Sequence, residues 1–268
     1  TFSFTKLALL YFTPFFLLFL RFTLGLVTLF LYSHFKRQKI LLSRSGIILG
    51  MLNFSAIAFQ TFGLRYTSAT KTAFITGLSV IFVPYLESVV FKSKIYWNLW
   101  LAVFFGFLGM TFLSADFSSF ERVNWGDLLV FICAILYAAQ IVYISYIVKK
   151  KEVFDLAFSE ILFTAVFAFL FFLLFEPRNL PIIFIVKNSW PIIYLGVIAT
   201  SITLTLQLVG QKYVSPTKSA LIYNLEPVFA TVFALVILSE KLTYFQTLGA
   251  SFILLSLFIS IPSFSQNN

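Results

Sequence analysis

The sequence has few charged residues and few of the side chains that carry most enzyme chemistry. Charged residues make up 11% of the 268 residues, and the chain has one cysteine and one histidine. A single cysteine, Cys133, excludes an internal disulfide and a cysteine-rich metal cluster. A single histidine, His34, excludes a metal site with several histidine ligands. We therefore expect no catalytic residues, no metal site and no cofactor.

Apolar residues, in contrast, are far more frequent than in soluble proteins. They make up 60% of the chain, and the mean hydropathy is +0.97. A soluble domain has about 45–50% apolar and about 25% charged residues, and it could not bury this excess. The composition predicts an all-α polytopic membrane protein. The net charge of +9 then fits basic loops at a membrane surface, and we expect no nucleic-acid partner.

Long apolar runs divide the chain into membrane-spanning segments. A helix needs about 20 apolar residues to cross a hydrocarbon core of about 30 Å. Continuous runs do not match the short alternating strands of a barrel. The runs predict helices at 14–33, 46–65, 68–91, 96–114, 126–148, 156–175, 190–211, 216–238 and 244–262. Residues 1–11 are interpreted as the second half of one further helix, whose first half is truncated.

The basic loops predict the orientation of these helices. Lysine and arginine are more frequent on the cytoplasmic side of a membrane. When the loop at 36–44 is placed in the cytoplasm, more of the basic loop residues fall on that side than on the other. The carboxyl terminus is then cytoplasmic. We expect a multi-pass protein of a bacterial inner membrane.

The two halves of the chain are similar in sequence. Residues 60–82 align without a gap on residues 207–229, and 10 of the 23 positions are identical. The identical pairs include polar residues, which a bias toward phenylalanine and leucine does not explain. These polar pairs are Gln60/Gln207, Tyr66/Tyr213, Ser68/Ser215, Thr70/Thr217 and Lys71/Lys218. The alignment predicts an internal duplication.

Each copy contains an odd number of helices, so the second copy starts on the opposite side of the membrane. The prediction is a ten-helix plan of two inverted five-helix repeats. Many secondary transporters are built in this way, with a substrate site between the copies. The predicted boundaries are residues 1–114 for the first repeat, 115–125 for a connecting loop, 126–262 for the second repeat and 263–268 for a cytoplasmic tail.

Several motifs resemble those of the EamA family of the drug/metabolite transporter superfamily. They are the run Tyr223-Asn224-Leu225-Glu226-Pro227-Val228-Phe229, the pair Gly126-Asp127, and Arg21-Phe22 in the second helix. The resemblance implies ten helices in two inverted repeats around a central cavity. It also implies transport of amino acids, nucleobase-like compounds or other small organic molecules.

Polar residues inside the predicted spans are candidates for a substrate cavity, because polar groups are costly in hydrocarbon and turn inward. On two equivalent helices they recur every three or four residues and so share one face. The candidates are Asn53, Gln60, Thr200, Thr203 and Gln207, together with Tyr137, Gln140 and Asn224. The alternative is that these side chains form hydrogen bonds that hold the helices together.

Charged residues inside the spans are further candidates. Lys71 and Lys218 occupy equivalent places near helix starts, where they either attract an anionic substrate group or extend to lipid headgroups. Glu226 is the first candidate for proton coupling, since a carboxylate deep in a membrane can bind a proton. Its alternative is a structural hydrogen bond beside a kink at Pro227. Glu87 and Glu160 are further coupling candidates.

The sequence therefore predicts a secondary transporter, most simply an exporter, of small organic metabolites such as amino acids. Its expected partners are a small-molecule substrate, the lipid bilayer, and either a coupling proton or a counter-substrate. A channel or a structural membrane protein is the alternative. A lipid-modifying enzyme is a weaker one, because the single histidine and the single cysteine are far apart and the acidic residues are scattered. No nucleotide-binding loop is present, so the energy for transport is expected to come from a gradient.

Overall fold

The computed structural model describes residues 1–92, 94–114, 124–176, 189–229 and 243–260. Within these ranges the chain is helical and contains no strand, as predicted. Its helices are α1 (Phe2–Ala8), α2 (Pro14–Lys36), α3 (Arg44–Tyr66), α4 (Ala69–Phe91), α5 (Trp97–Ser114), α6 (Trp125–Ile147), α7 (Val153–Phe175), α8 (Trp190–Gln211), α9 (Pro216–Tyr223) and α10 (Tyr244–Ser260). The predicted tail at 263–268 and most of the predicted loop at 115–125 lie outside the described residues.

Six of these helices, α2, α3, α4, α6, α7 and α8, are long and apolar enough to cross a membrane. Large aromatic residues are exposed where several helices begin. Trp97 and Trp125 are each 79% exposed, and Tyr244 is 74% exposed. Tryptophan and tyrosine favour the boundary between headgroups and hydrocarbon. The predicted multi-pass membrane protein is confirmed, and these aromatic residues mark the starts of three of its helices.

Equivalent helices of the two repeats pack against each other in opposite directions. In α2 and α7, the ring centroids of Phe16 and Phe172 are 5.0 Å apart. Phe19 lies one turn after Phe16 in α2, and Phe169 lies one turn before Phe172 in α7. The ring centroids of Phe19 and Phe169 are also 5.0 Å apart. Residue numbers therefore increase along α2 in the direction in which they decrease along α7. The two helices are antiparallel.

The fifth helices of the repeats show the same relation. Phe105 of α5 lies 5.9 Å from Phe252 of α10, and Phe112 lies 6.1 Å from Phe245 between ring centroids. Because equivalent helices are antiparallel, the two copies point in opposite directions through the membrane. The prediction of two inverted five-helix repeats is confirmed.

Glycines let the repeats approach each other closely. Gly109 of α5 faces Gly249 of α10, and a Cβ on Gly109 would lie 2.7 Å from the Gly249 carbonyl oxygen and 2.6 Å from Ile253 Cγ1. Gly63 of α3 faces Gly126 of α6 in a similar way, with 2.7 Å from its Cβ position to the Gly126 carbonyl oxygen. Small residues at such crossings allow the backbone contact that stabilises membrane helix pairs.

The alanine variant Gly249→Ala is expected to destabilise the protein by about 1–3 kcal/mol, the usual range for overpacking a tight contact. Its matched control is Gly210→Ala, because nothing lies within 4 Å of a Cβ at Gly210. The control should be neutral or stabilising, since alanine favours a helix over glycine by about 1 kcal/mol. Thermal unfolding in detergent measures both. Equal melting temperatures of the two variants would contradict the close packing of α5 against α10.

Two features of the helices differ from the sequence prediction. The predicted helix at 68–91 is interrupted by a turn at Leu78, and the predicted helix at 216–238 is interrupted at Asn224. Helix resumes at 225–229, and the rest of that prediction lies outside the described residues. The second difference is a π-helix at Tyr194–Ile202 within α8. Spacing rules based on 3.6 residues per turn cannot predict either feature.

Candidate functional site

The interruptions of α4 and α9 meet inside the protein. A Cβ on Gly77 would lie 3.6 Å from Asn224 Oδ1, so the two turns face each other across the boundary between the repeats. Asn224 is 4% exposed, and its Nδ2 has no hydrogen-bond partner among the described residues. Broken helices that meet at a repeat boundary form substrate sites in transporters, because their free backbone and amide groups can bind polar ligands.

Asn53 and Thr200 occupy equivalent positions and make equivalent contacts with the other repeat. Asn53 Nδ2 donates to Thr164 Oγ1 on α7 at 3.2 Å. Thr200 Oγ1 accepts from Arg21 Nε on α2 at 2.7 Å. Both side chains are buried. These two predicted cavity residues therefore join the repeats by hydrogen bonds in this structure. This is the role that the alternative interpretation gave them, namely hydrogen bonds that hold the helices together.

The three predicted cavity residues of α8, Thr200, Thr203 and Gln207, differ in their exposure. Thr200 is fully buried, whereas Thr203 is exposed and Gln207 is half-buried. The reason is the π-helix at Tyr194–Ile202, whose wider turn shifts the register, so that residues three apart no longer lie on one face. Gln60, the partner of Gln207 in the repeat, is buried and donates from Nε2 to Thr76 Oγ1 at 3.2 Å.

Lys71 is paired with an acidic residue of the other repeat. Its Nζ lies 2.6 Å from Asp127 Oδ2 at the start of α6. Asp127 also accepts a hydrogen bond from Thr67 Oγ1 at 2.8 Å and one from the backbone N–H of Asn124 at 3.0 Å. Lys71 therefore neutralises a carboxylate of the protein in this structure. Together these residues connect the start of α4 with the start of α6.

Lys218 lies beside the second acidic contact between the repeats. The backbone N–H of Thr217 donates to Glu87 Oε2 at 2.8 Å, and its hydroxyl donates to the same oxygen. The charges of Lys218 and Glu87 also interact. Glu87 is near the end of α4 and Thr217 near the start of α9. Each of the two equivalent lysines is therefore associated with an acidic residue of the opposite repeat.

Glu160 and Gln140 form a buried pair between α7 and α6. Gln140 Nε2 donates to Glu160 Oε1 at 2.7 Å, and the exposed fractions of the two residues are 0% for Glu160 and 1% for Gln140. Gln140 Oε1 and Glu160 Oε2 are buried without a hydrogen-bond partner among the described residues. Both atoms are acceptors, so a proton on the carboxyl group would give one of them a hydrogen to donate.

Glu226 and Tyr137 lie close to Arg21. The charge of Arg21 interacts with both of them. The Glu226 carboxylate is 55% exposed and lies 3.8 Å from the amino group of Thr1, and Tyr137 is half-buried. Of the three predicted coupling carboxylates, Glu226 is thus the most exposed and Glu160 the most deeply buried.

Sequence reasoning missed two residues of this site. Arg21 was noted only as part of a motif, although an arginine inside an apolar span is itself a functional signal. Asp127 was noted at the start of the second copy but not as the partner of Lys71. Nothing in the spacing of the sequence indicated that pair, because the two residues are joined only by the packing of α4 on α6.

The fold and these contacts define the class of protein. Two inverted five-helix repeats, with broken fourth helices that meet at the repeat boundary, form the architecture of membrane transporters. Comparison with known proteins then gives the family. The sequence profile of the EamA-like transporter family matches residues 1–115 and 124–261. The chain belongs to this family and is an integral, multi-pass membrane protein.

Relatives and solved structures agree with this assignment. An uncharacterized transporter of Archaeoglobus fulgidus is 32% identical over 220 residues, which cover 81% of this chain and 68% of the relative. The uncharacterized transporter YyaM of Bacillus subtilis is 25% identical over 228 residues, covering 81% of this chain and 73% of YyaM. One crystal structure superposes with a TM-score of 0.80 at 16% identity, covering 96% of this chain and 94% of that one. The family and the names of these relatives point to a transporter rather than an enzyme.

Proposed function

We propose that the protein is a secondary transporter that exports small organic metabolites, such as amino acids or related compounds, by alternating access. In this proposal it lies in a bacterial inner membrane with its carboxyl terminus in the cytoplasm. The observation that carries the proposal is the pair of inter-repeat contacts on α4. Lys71 contacts Asp127 near one end of this helix, and Glu87 contacts Thr217 near the other.

These two contacts have the positions that two gates require. Lys71 and Glu87 are 16 residues apart on α4, or roughly 24 Å at 1.5 Å per residue. Each joins the first repeat to the second, and both depend on charged groups that water can solvate when the contact opens. Rocking of one repeat against the other would break one contact while it preserves the other.

The polar groups between the two gates are the proposed pathway. Asn224 supplies a buried amide N–H without a partner, at the point where the breaks in α4 and α9 meet. Gln60 and Tyr137 are nearer the centre of their helices than the two gates are. Thr203 and Gln207 lie on more exposed parts of α8, and Lys71 and Lys218 belong to the gates in this proposal.

Glu160 is the proposed proton carrier among the three carboxylates. It is fully buried, its charge faces no basic group of the described residues at ion-pair distance, and Gln140 offers an unused acceptor beside it. Proton uptake would supply the missing donor of this pair. Glu87 is already bound by Thr217, which favours a gating role instead.

Cross-linking across each gate tests alternating access. In a Cys133→Ser background, the cysteine pair Thr70→Cys and Trp125→Cys spans the Lys71–Asp127 gate, and Val90→Cys with Tyr213→Cys spans the Glu87–Thr217 gate. All four native side chains are exposed. Bifunctional thiol reagents of graded length are applied to the protein in proteoliposomes. Uptake and efflux of a radiolabelled amino-acid and metabolite panel are then measured.

We expect a short cross-link at either gate to abolish flux, because each gate must open once in every cycle. Reductive cleavage of the linker should restore it. The controls are the four single-cysteine variants, which react with the reagents but cannot be bridged. Flux that continues with both gates cross-linked would contradict alternating access and would favour a channel.

A further inference from the structure

Arg21 is a buried cation in the part of the protein where the two repeats meet. It lies two turns into α2 and is 6% exposed. Its Nε donates to Thr200 Oγ1 at 2.7 Å, and its Nη2 donates to the Ala199 carbonyl oxygen at 3.1 Å. Both acceptors are neutral and belong to the π-helical segment of α8. They fix the position of the guanidinium without neutralising its charge.

The charge of Arg21 has no matching carboxylate in contact. Within the described part of the chain, no carboxylate oxygen forms an ion pair with it at 4.0 Å or less. Glu226 acts on it only at longer range, and its charge also interacts with Tyr137 and Tyr194. An uncompensated charge in a membrane interior is costly, and it is kept where it has a function.

The guanidinium also retains free donors. It has five N–H groups in a planar fork, and the two hydrogen bonds to α8 are made by Nε and Nη2. The donors of Nη1 have no hydrogen-bond partner among the described residues. A carboxylate is the group that this fork binds best, through two parallel charge-assisted hydrogen bonds.

We propose that Arg21 binds the carboxylate group of the transported compound, so that the substrates of this protein are organic acids or carry a carboxylate. This inference rests on the proposed transport function. A carboxylate brings a single negative charge, which one guanidinium can neutralise. A phosphate group would bring a second negative charge, which one guanidinium does not neutralise, so it is the less favourable ligand.

Chemical labelling of Arg21 tests the proposal without measuring transport. Phenylglyoxal modifies arginine side chains, and mass spectrometry of peptides then quantifies each modified position in the folded, detergent-solubilised protein. Labelling is repeated with benzoate and acetate, with their neutral amides benzamide and acetamide, and with inorganic phosphate. Arg44, which is exposed at the start of α3, is the internal control for reagent activity.

We expect Arg21 to be labelled more slowly than Arg44, and we expect the carboxylates to slow its labelling at least threefold further. The amides should have no effect, and no compound should protect Arg44. Three results would each overturn the proposal: no labelling of Arg21, equal protection by acids and amides, or stronger protection by phosphate than by carboxylates.

Transport assays separate this inference from the proposed function. Arg21→Gln should lose flux of carboxylate-bearing compounds, while Arg21→Lys keeps part of it, because lysine preserves the charge but not the fork. Thr200→Val removes one hydrogen bond of Arg21 and keeps the charge of the arginine. It is the control for a merely structural role, because a loss of flux in Arg21→Gln that came only from this lost hydrogen bond would also appear in Thr200→Val. Carboxylate protection of Arg21 without any flux would refute transport and leave the binding site. If the protein transports uncharged compounds and Arg21→Gln does not change that flux, the transport function stands and the carboxylate site at Arg21 is refuted.

Discussion

Asp127→Asn is expected to reduce transport about tenfold or more while the protein still folds. The variant removes the charge that pairs with Lys71 at 2.6 Å, but asparagine keeps an oxygen that can accept from the backbone N–H of Asn124 and so preserve the start of α6. A hydrogen bond to a charged group contributes about 1.5–3 kcal/mol. A loss of about 2 kcal/mol changes the equilibrium constant between the open and closed states of the gate by roughly thirtyfold. Flux into proteoliposomes measures the effect.

A charge exchange provides the stringent control for this gate. The double variant Lys71→Asp with Asp127→Lys restores an ion pair of opposite direction and should recover part of the flux that either single variant loses. Lys149→Ala, at an exposed position after α6, should transport like the wild type. If Asp127→Asn were as active as Lys149→Ala, the contact would be a structural one and not a gate.

Glu160→Gln is expected to remove the pH dependence of transport. In the wild type, flux should change by up to about tenfold per pH unit, the limit for one titrating group. Glutamine resembles the protonated carboxyl group and can donate from its amide to Gln140 Oε1, which lacks a partner. The variant should therefore fold normally and transport at a rate that no longer responds to pH.

The neighbours of Glu160 define what else can titrate there. Its charge interacts with Tyr137 on α6 and with Tyr223 on α9, while Gln140 faces it directly. The matched control is Glu152→Gln, an exposed carboxylate at the start of α7. That variant should keep the wild-type pH profile. A pH profile of Glu160→Gln that equals the wild type would assign the coupling to another group or to a counter-substrate.

The sequence was sufficient to predict the helices and their arrangement for a physical reason. A bilayer imposes one length and one composition on every span, so apolar runs such as 126–148 gave the bounds of α6 to within a residue or two. Identical polar pairs such as Gln60/Gln207 in one ungapped alignment then indicated the duplication. The odd number of helices in each copy indicated that the two copies are inverted. The antiparallel packing of α5 on α10 confirms this plan.

The local geometry of the site could not be predicted in the same way. The π-helix at Tyr194–Ile202 lies where α8 packs against α2, and it separates Thr200 from Thr203 although their spacing matches one helical face. The pairing of Lys71 with Asp127 depends on two helices that are distant in sequence. Helical periodicity describes one segment at a time, whereas these contacts arise from tertiary packing.

Pulsed electron-spin resonance across both gates tests the central claim most directly. Nitroxide labels are placed on the same two pairs of exposed positions, Thr70 with Trp125 and Val90 with Tyr213. Distances are measured in the Cys133→Ser background with and without Asp127→Asn. The account predicts that this substitution lengthens the first distance and leaves the second unchanged, because the Glu87–Thr217 contact is preserved when the Lys71–Asp127 contact opens. Two distances that stay fixed, or that lengthen together, would contradict alternating access by the two repeats.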